Sequence, residues 1–337
     1  MFPLSRPLLL AAAAAMFACG TNDAVPPRDA VRPDAKPTAD MKAVLGKLDA
    51  LRPMPIELLT PEQARKQPTI ADAVRALRRD RGESTDPQPV ARVEDRKIPG
   101  AAGEITARIY TPEGASPFPV VLYFHGGGWV LGTIDTYDAS ARAIANAART
   151  IVVSVECRKA PESKFPAAHE DAFAAYRWVL GNAASIKGDP ERVAVAGERA
   201  GGNLAANVAI MARDRGVKPP VYQVLICPVA GDADAWSLGH YLNHAAESSD
   251  PRIALVRGDL GGLPPATVIT AEIDPLRSEG QMLSERLGAS GVPVEYRSFP
   301  GVTHEFFGTG AVVSEAKQAV AFATDGLKEA FEGPLTK

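Results

Sequence analysis

Seven short apolar runs rich in β-branched residues alternate with helical stretches through most of this chain, and no other feature constrains its fold as much. The runs are EITARIYTP, FPVVLYFHG, TIVVSVECR, ERVAVAGER, YQVLICPV, PATVITAEI and PVEYRSFPG. Between them lie TYDASARAIANAAR, AAHEDAFAAYRWVLGNA, GGNLAANVAIMARDR and SEGQMLSERLGAS, with VSEAKQAVAFATDGLKEAF after the last strand. Several runs are continuously apolar rather than alternating, as when helices cover both faces of a parallel sheet. The expectation is an α/β fold with a mostly parallel, doubly wound sheet of about eight strands. In such sheets ligands meet the carboxyl ends of the strands, so those ends carry the functional reading.

The segments ahead of the sheet differ from it. MFPLSRPLLLAAAAAMFACG has a leader carrying Arg6 and an apolar run too short to span a bilayer, closing on Cys19. Residues 1–19 read as a signal peptide, with two outcomes: a lipoprotein signal with Cys19 lipidated, which the following tether favours, or cleavage nearby that discards Cys19. Residues 20–40 are rich in Pro, Asp and Ala and read as a disordered linker. Fully extended, it would reach roughly 60 Å at about 3 Å per residue. Residues 41–90 contain MKAVLGKLDALRPM and TIADAVRALRRDRG, a small helical N-terminal cap, and 91–337 form the main domain. The expectation from these segments, which look like a bacterial lipoprotein signal, is a cell-envelope or periplasmic location with membrane attachment through Cys19, or otherwise secretion.

A net charge of −3 leaves no basic footprint, so nucleic acid is not an expected partner. Nothing has zinc-ligand spacing. Cys157 and Cys227 each sit near the end of a strand-like run, where a buried free thiol is the expectation and a disulfide the alternative.

Four motifs fall at the strand ends. YFHGGGWVLG (residues 123–132) leaves a strand into three glycines, whose backbone can approach a ligand closely. VAVAGERAGGNLAANVA (193–209) has the strand–turn–helix layout of a nucleophile elbow, G-x-S-x-G, but Arg199 stands where the serine belongs. ITAEIDPLRSEG places Asp274 just past a strand, and FPGVTHEFFG places His304 in a loop after the last one. Each has a plainer reading: a tight turn, a helix cap or a solvated histidine. Asp138 and Glu198 are either groups supporting a site or surface carboxylates. The order nucleophile, acid, histidine is that of α/β-hydrolases.

From about Pro55 onward the chain resembles the hormone-sensitive-lipase-like (bacterial family IV) branch of the α/β-hydrolases, marked by H-G-G-G-W. CRKAPESKFPAAHEDAFAAYRWV and GLPPATVITAEIDPLRSEG carry the same likeness. The resemblance implies hydrolysis of short to medium acyl esters with no metal or organic cofactor. It implies that Gly126, Gly127 and the N–H of Ala200 form an oxyanion hole, that His304 is general base and then acid, and that Asp274 orients it. Against the family pattern, the segment after LICPVAG is short, and Glu156, Cys157 and Ser163 stand where an aromatic residue and a histidine are more usual.

Arg199 breaks the pattern at the nucleophile. A guanidinium stays protonated, offers five donors and has no lone pair with which to attack a carbonyl. No Ser, Thr or Cys at 198, 200 or 201 substitutes for it. The leading expectation is a hydrolase fold whose serine-esterase activity is lost or severely impaired. The next is a working hydrolase, through water activated by His304 or because position 199 is altered in this copy. The third is a non-catalytic binder of carboxylates or other anions at Arg199, with Glu198 and Asp274 competing for the guanidinium.

Overall fold

The computed structural model describes residues 34–231 and 234–333. Its sheet contains β1 (Arg92–Gly100), β2 (Gly103–Thr111), β3 (Phe118–Phe124), β4 (Ile151–Glu156), β5 (Gly188–Glu198), β6 (Gln223–Ile226), β7 (Ala266–Ile273) and β8 (Val294–Thr303). Their order is β1-β2-β4-β3-β5-β6-β7-β8. The β1–β2 and β2–β4 pairs are antiparallel, and the others are parallel. This is the α/β-hydrolase arrangement expected from the sequence.

The helices are α1 (Ala39–Ala50), α2 (Pro61–Ala64), α3 (Ile70–Asp80), α4 (Asp138–Ala148), α5 (Ala167–Asn182), α6 (Ala200–Asp214), α7 (Ala235–Tyr241), α8 (Arg277–Ala289) and α9 (Ser314–Glu332). The continuous apolar runs have the physical role inferred for them. In β3, Val120, Leu122 and Phe124 belong to the apolar cluster that also contains residues of α5, α6 and α8, while Val121 and Tyr123 belong to a second cluster with residues of α4 and α9. Both faces are dry, so every position along the strand is apolar.

One strand escaped the sequence reading. β1, RVEDRKIPG, buries only Ile98 fully and carries charge along the rest. It is the sheet edge, where charged side chains blunt pairing with other chains. Asp95 is held by Arg108 at 2.6 and 2.9 Å, so the polar positions of β1 are used within the sheet.

The cap helices lie on the α4/α9 face. Met41 and Val44 of α1 and Ala73 and Val74 of α3 join that apolar cluster. Thr69 and Asp72 form a capping box at the start of α3. From the end of α2, Arg65 bonds the carbonyls of Val130 (2.9 Å) and Ala160 (2.6 Å), tying the cap to the glycine-rich loop. The expected linker over 20–40 stops short of its boundary. Thr38 donates its N–H to the Gly301 carbonyl at 2.8 Å, and its side chain caps α1, which already includes Ala39 and Asp40. The signal peptide, Cys19 and the linker up to residue 33 lie outside the described residues. Among the described residues no helix is long and apolar enough to cross a membrane. Cys157 and Cys227 are free and buried.

Leu122, fully buried in the central strand β3, tests this packing. Leu122→Ala should lower the unfolding free energy by about 2–5 kcal/mol, read from urea denaturation curves, without changing the secondary-structure signal.

Candidate active site

The elbow is intact in its backbone. Arg199 joins β5 to α6 at φ 57° and ψ −117°, a conformation that costs a non-glycine residue of order 1–3 kcal/mol. Three backbone hydrogen bonds hold it. Its N–H donates to the Ile226 carbonyl at 2.8 Å, and its own carbonyl accepts from Asn203 and Val229 at 3.1 Å each. The turn is this sharp because α6 starts hard against the sheet. A Cβ on Gly201 would overlap the Phe124 carbonyl, and one on Gly197 would overlap the carbonyl of Gly201. The two glycines of the motif are therefore steric necessities.

Asp274 follows β7 and His304 follows β8, and the structure brings them together. His304 Nδ1 lies 2.7 Å from Asp274 Oδ2, while Asp274 Oδ1 accepts the Leu276 N–H at 2.8 Å. Asp274 thus closes a turn just ahead of α8 and faces the imidazole at once, while α8 itself starts after Leu276 without a side-chain cap, so the helix-cap reading of Asp274 does not apply. Burial pushes its carboxyl upward, but His304, Leu276 and Cys227 outweigh that and hold it below the usual carboxylate range. An ionised Asp274 fixes the proton on Nδ1 and leaves the Nε2 lone pair free. His304 Nε2 is buried and has no hydrogen-bond partner among the described residues.

The glycine loop supplies donors. Gly127 takes φ 110°, where a Cβ would strike the Leu131 carbonyl. Its own carbonyl accepts from Leu131 N at 2.7 Å and Val130 N at 3.1 Å, closing the loop into a turn. Among the described residues the N–H groups of Gly126, Gly127 and Ala200 donate to no protein group. Such amides are the requirement for holding a developing oxyanion.

Arg199 is mostly buried, at 19% side-chain exposure, and spans two elements. Nη2 donates to Asp234 Oδ2 at 3.1 Å, at the start of α7, and Nη1 lies 4.0 Å from Glu305 Oε1, beside His304. Burial works against its charge, but Glu305 and Asp234 more than restore it, and the group is held protonated. The sequence reading had put Glu198 and Asp274 in competition for this cation. Glu198 is instead buried under the elbow and accepts from the Tyr123 hydroxyl at 2.5 Å, and Asp274 is committed to His304. Asp234 and Glu305 were missed. Glu305 directly follows the motif histidine, which was a usable signal. Asp234 lies in a segment without a pattern, and only the fold brings it to the elbow.

Asp138 lines the cleft, but its carboxylate is held by the Tyr110 hydroxyl (2.8 Å) and Arg142 (2.6 Å). Glu156 accepts from Ile134 N at 2.9 Å and from Lys159 at 2.5 Å, while Lys159 also bonds the Gly132 carbonyl at 2.8 Å. Both carboxylates thus brace the loops around the site. A cleft of about 1230 Å³ runs from Arg199 between the cap and α4, walled by apolar groups such as Ile70, Val74, Leu131 and Phe307.

Comparison with known proteins places this geometry in context. The family described as the alpha/beta hydrolase fold matches residues 121–308. Carboxylesterase NlhH of Mycobacterium tuberculosis is 41% identical over 291 residues, covering 78% of this chain and 91% of that protein. Esterase LipI of the same organism is 39% identical over 297 residues, covering 79% and 91%. Among solved structures, the hyperthermophilic esterase of the archaeon Pyrobaculum calidifontis superposes with a TM-score of 0.78 at 36% identity, covering 87% of this chain and 98% of that one. The metagenomic carboxylesterase EstE1 superposes at 0.76 with 37% identity, covering 82% and 99%.

Glu198 offers a test of the electrostatics beneath the elbow. Burial pushes its carboxyl up to about 7, against the downward pull of Ser140 and Tyr123. A raised carboxyl favours the folded state while protonated, so its contribution is complete below the usual 4.5 and is lost as pH rises towards about 7. Urea midpoints at pH 5 and pH 8 should therefore fall further for the wild type than for Glu198→Gln. Equal falls would show that Glu198 is not the group responsible.

Proposed function

The chain belongs to the α/β-hydrolase family, in its hormone-sensitive-lipase-like esterase branch, and from that premise we propose a carboxylic ester hydrolase by descent that can no longer acylate itself. Its cleft takes a small acyl ester or carboxylate, and its serine-type chemistry is lost or severely impaired. One observation supports this reading: the sharp turn at residue 199 stands with a His304–Asp274 hydrogen bond, while position 199 holds a cation ion-paired to Asp234. We assign His304 as the base, Asp274 as the group that fixes its tautomer, and Gly126, Gly127 and Ala200 as the oxyanion donors. A guanidinium has no lone pair for His304 to activate, so no acyl-enzyme forms there.

The anion-binding reading is weaker for a physical reason. Asp234 and Glu305 already face the guanidinium, and a ligand carboxylate would have to displace one of them. The leader sequence supports a bacterial envelope or periplasmic location with attachment through Cys19, and this is a proposal from sequence alone.

Arg199→Ser decides the matter. The wild type should take no fluorophosphonate label, whereas Arg199→Ser should label stoichiometrically and hydrolyse 4-nitrophenyl butyrate at least about 10³-fold faster. That gain is a fraction of the roughly 10⁶-fold loss seen when a triad nucleophile is removed in another hydrolase. Labelling of the wild type would overturn the reading.

A further inference from the structure

Two polar atoms at the site are buried without a partner among the described residues: His304 Nε2 and Arg199 Nε. Both residues wall a void of about 10 Å³, beside Glu198, Glu305 and Cys227. That is close to the minimum that admits one water, and a water needs two to four polar partners. The two orphan atoms are complementary. Arg199 Nε–H can only donate, and Nε2 of His304, with its proton held on Nδ1 by Asp274, can only accept. A single water between them would satisfy both. The void adjoins the large cleft, since Tyr137, Glu198, Arg199, Glu305 and Phe307 wall both.

We propose that this void is a hydrolytic-water site, and that the protein cleaves carboxylic esters slowly by direct attack of that water, without an acyl-enzyme. The inference rests on the reading of position 199 as non-acylating. The water oxygen forms the new bond to the ester carbonyl carbon as its proton passes to His304 Nε2. The carbonyl π pair moves onto the oxygen facing the N–H groups of Gly126, Gly127 and Ala200. Collapse breaks the bond to the alkoxy oxygen, and the His304 proton passes to that leaving group. Acid and alcohol leave together, with no oxidant or reductant involved. Arg199 orients the water through Nε–H, and its charge favours the hydroxide-like character that the water acquires.

The test uses the full chain with 4-nitrophenyl butyrate, against heat-killed protein. The expected wild-type trace is linear, with no burst, and faster than the control. His304→Gln, which lacks a basic nitrogen, should lower the rate by about 10²-fold or to the control line, with an unchanged thermal midpoint. Asp274→Asn, which fails to fix the tautomer, should lower it comparably, so the result does not depend on one variant folding. A wild-type rate equal to the heat-killed control, or a His304→Gln rate equal to wild type, overturns the water site and leaves the non-acylating reading standing. A burst accompanied by fluorophosphonate labelling overturns both.

Discussion

The site depends on the close approach of α6 to the central strands. Gly201 lies against the carbonyls of Phe124 and His125 with no room for a side chain, and Gly197 lies against Gly201. That approach forces residue 199 into a left-handed turn, pinned through Ile226, Asn203 and Val229. The turn leaves the Ala200 amide free at a helix start, and the amides of Gly126 and Gly127 likewise donate to no protein group among the described residues. None of these contacts involves the side chain at 199. The frame therefore stands with arginine there, although it holds a residue that cannot perform the step such an elbow serves.

This independence explains what the sequence disclosed. Gly197 and Gly201 are readable because backbone clashes exclude other residues. Asp274 and His304 are readable because each sits just past a strand, Asp274 after the apolar β7 and His304 after the half-solvated β8, and strand ends converge in a parallel sheet. The core strands are legible because both of their faces are dry. β1 was not, because an edge strand solvated along most of its length resembles a polar loop. The partners of Arg199 were hidden for another reason. Asp234 is 35 residues away and its segment has no periodicity, so only the tertiary fold juxtaposes the two.

The environment of Arg199 also bears on how firmly it closes the site. Its bond to Asp234 is single at 3.1 Å, and both side chains retain about a fifth of their exposure, at 19% and 23%. Glu305 is farther, at 4.0 Å, and more exposed. Ion pairs with solvent access contribute about 0–1 kcal/mol. The head of Arg199 is therefore held by a weak tie, whereas its backbone is held rigidly.

Charge balance gives the arginine a constructive side. Asp234 and Glu305 face Arg199 and Asp274 holds His304, so three carboxylates stand about the elbow and its histidine. Their field opposes the negative charge of a developing oxyanion. A guanidinium among them offsets one of the three charges, and at about 4 Å with an effective dielectric near 20 one charge pair is worth of order 4 kcal/mol. Replacing a hydroxyl by a cation thus removes the nucleophile while improving the electrostatics of any attack that brings its own. An attacking water, as proposed above, would take its base from His304 and its orientation from Arg199 Nε–H, so position 199 would act through its charge and its donor and not through a lone pair.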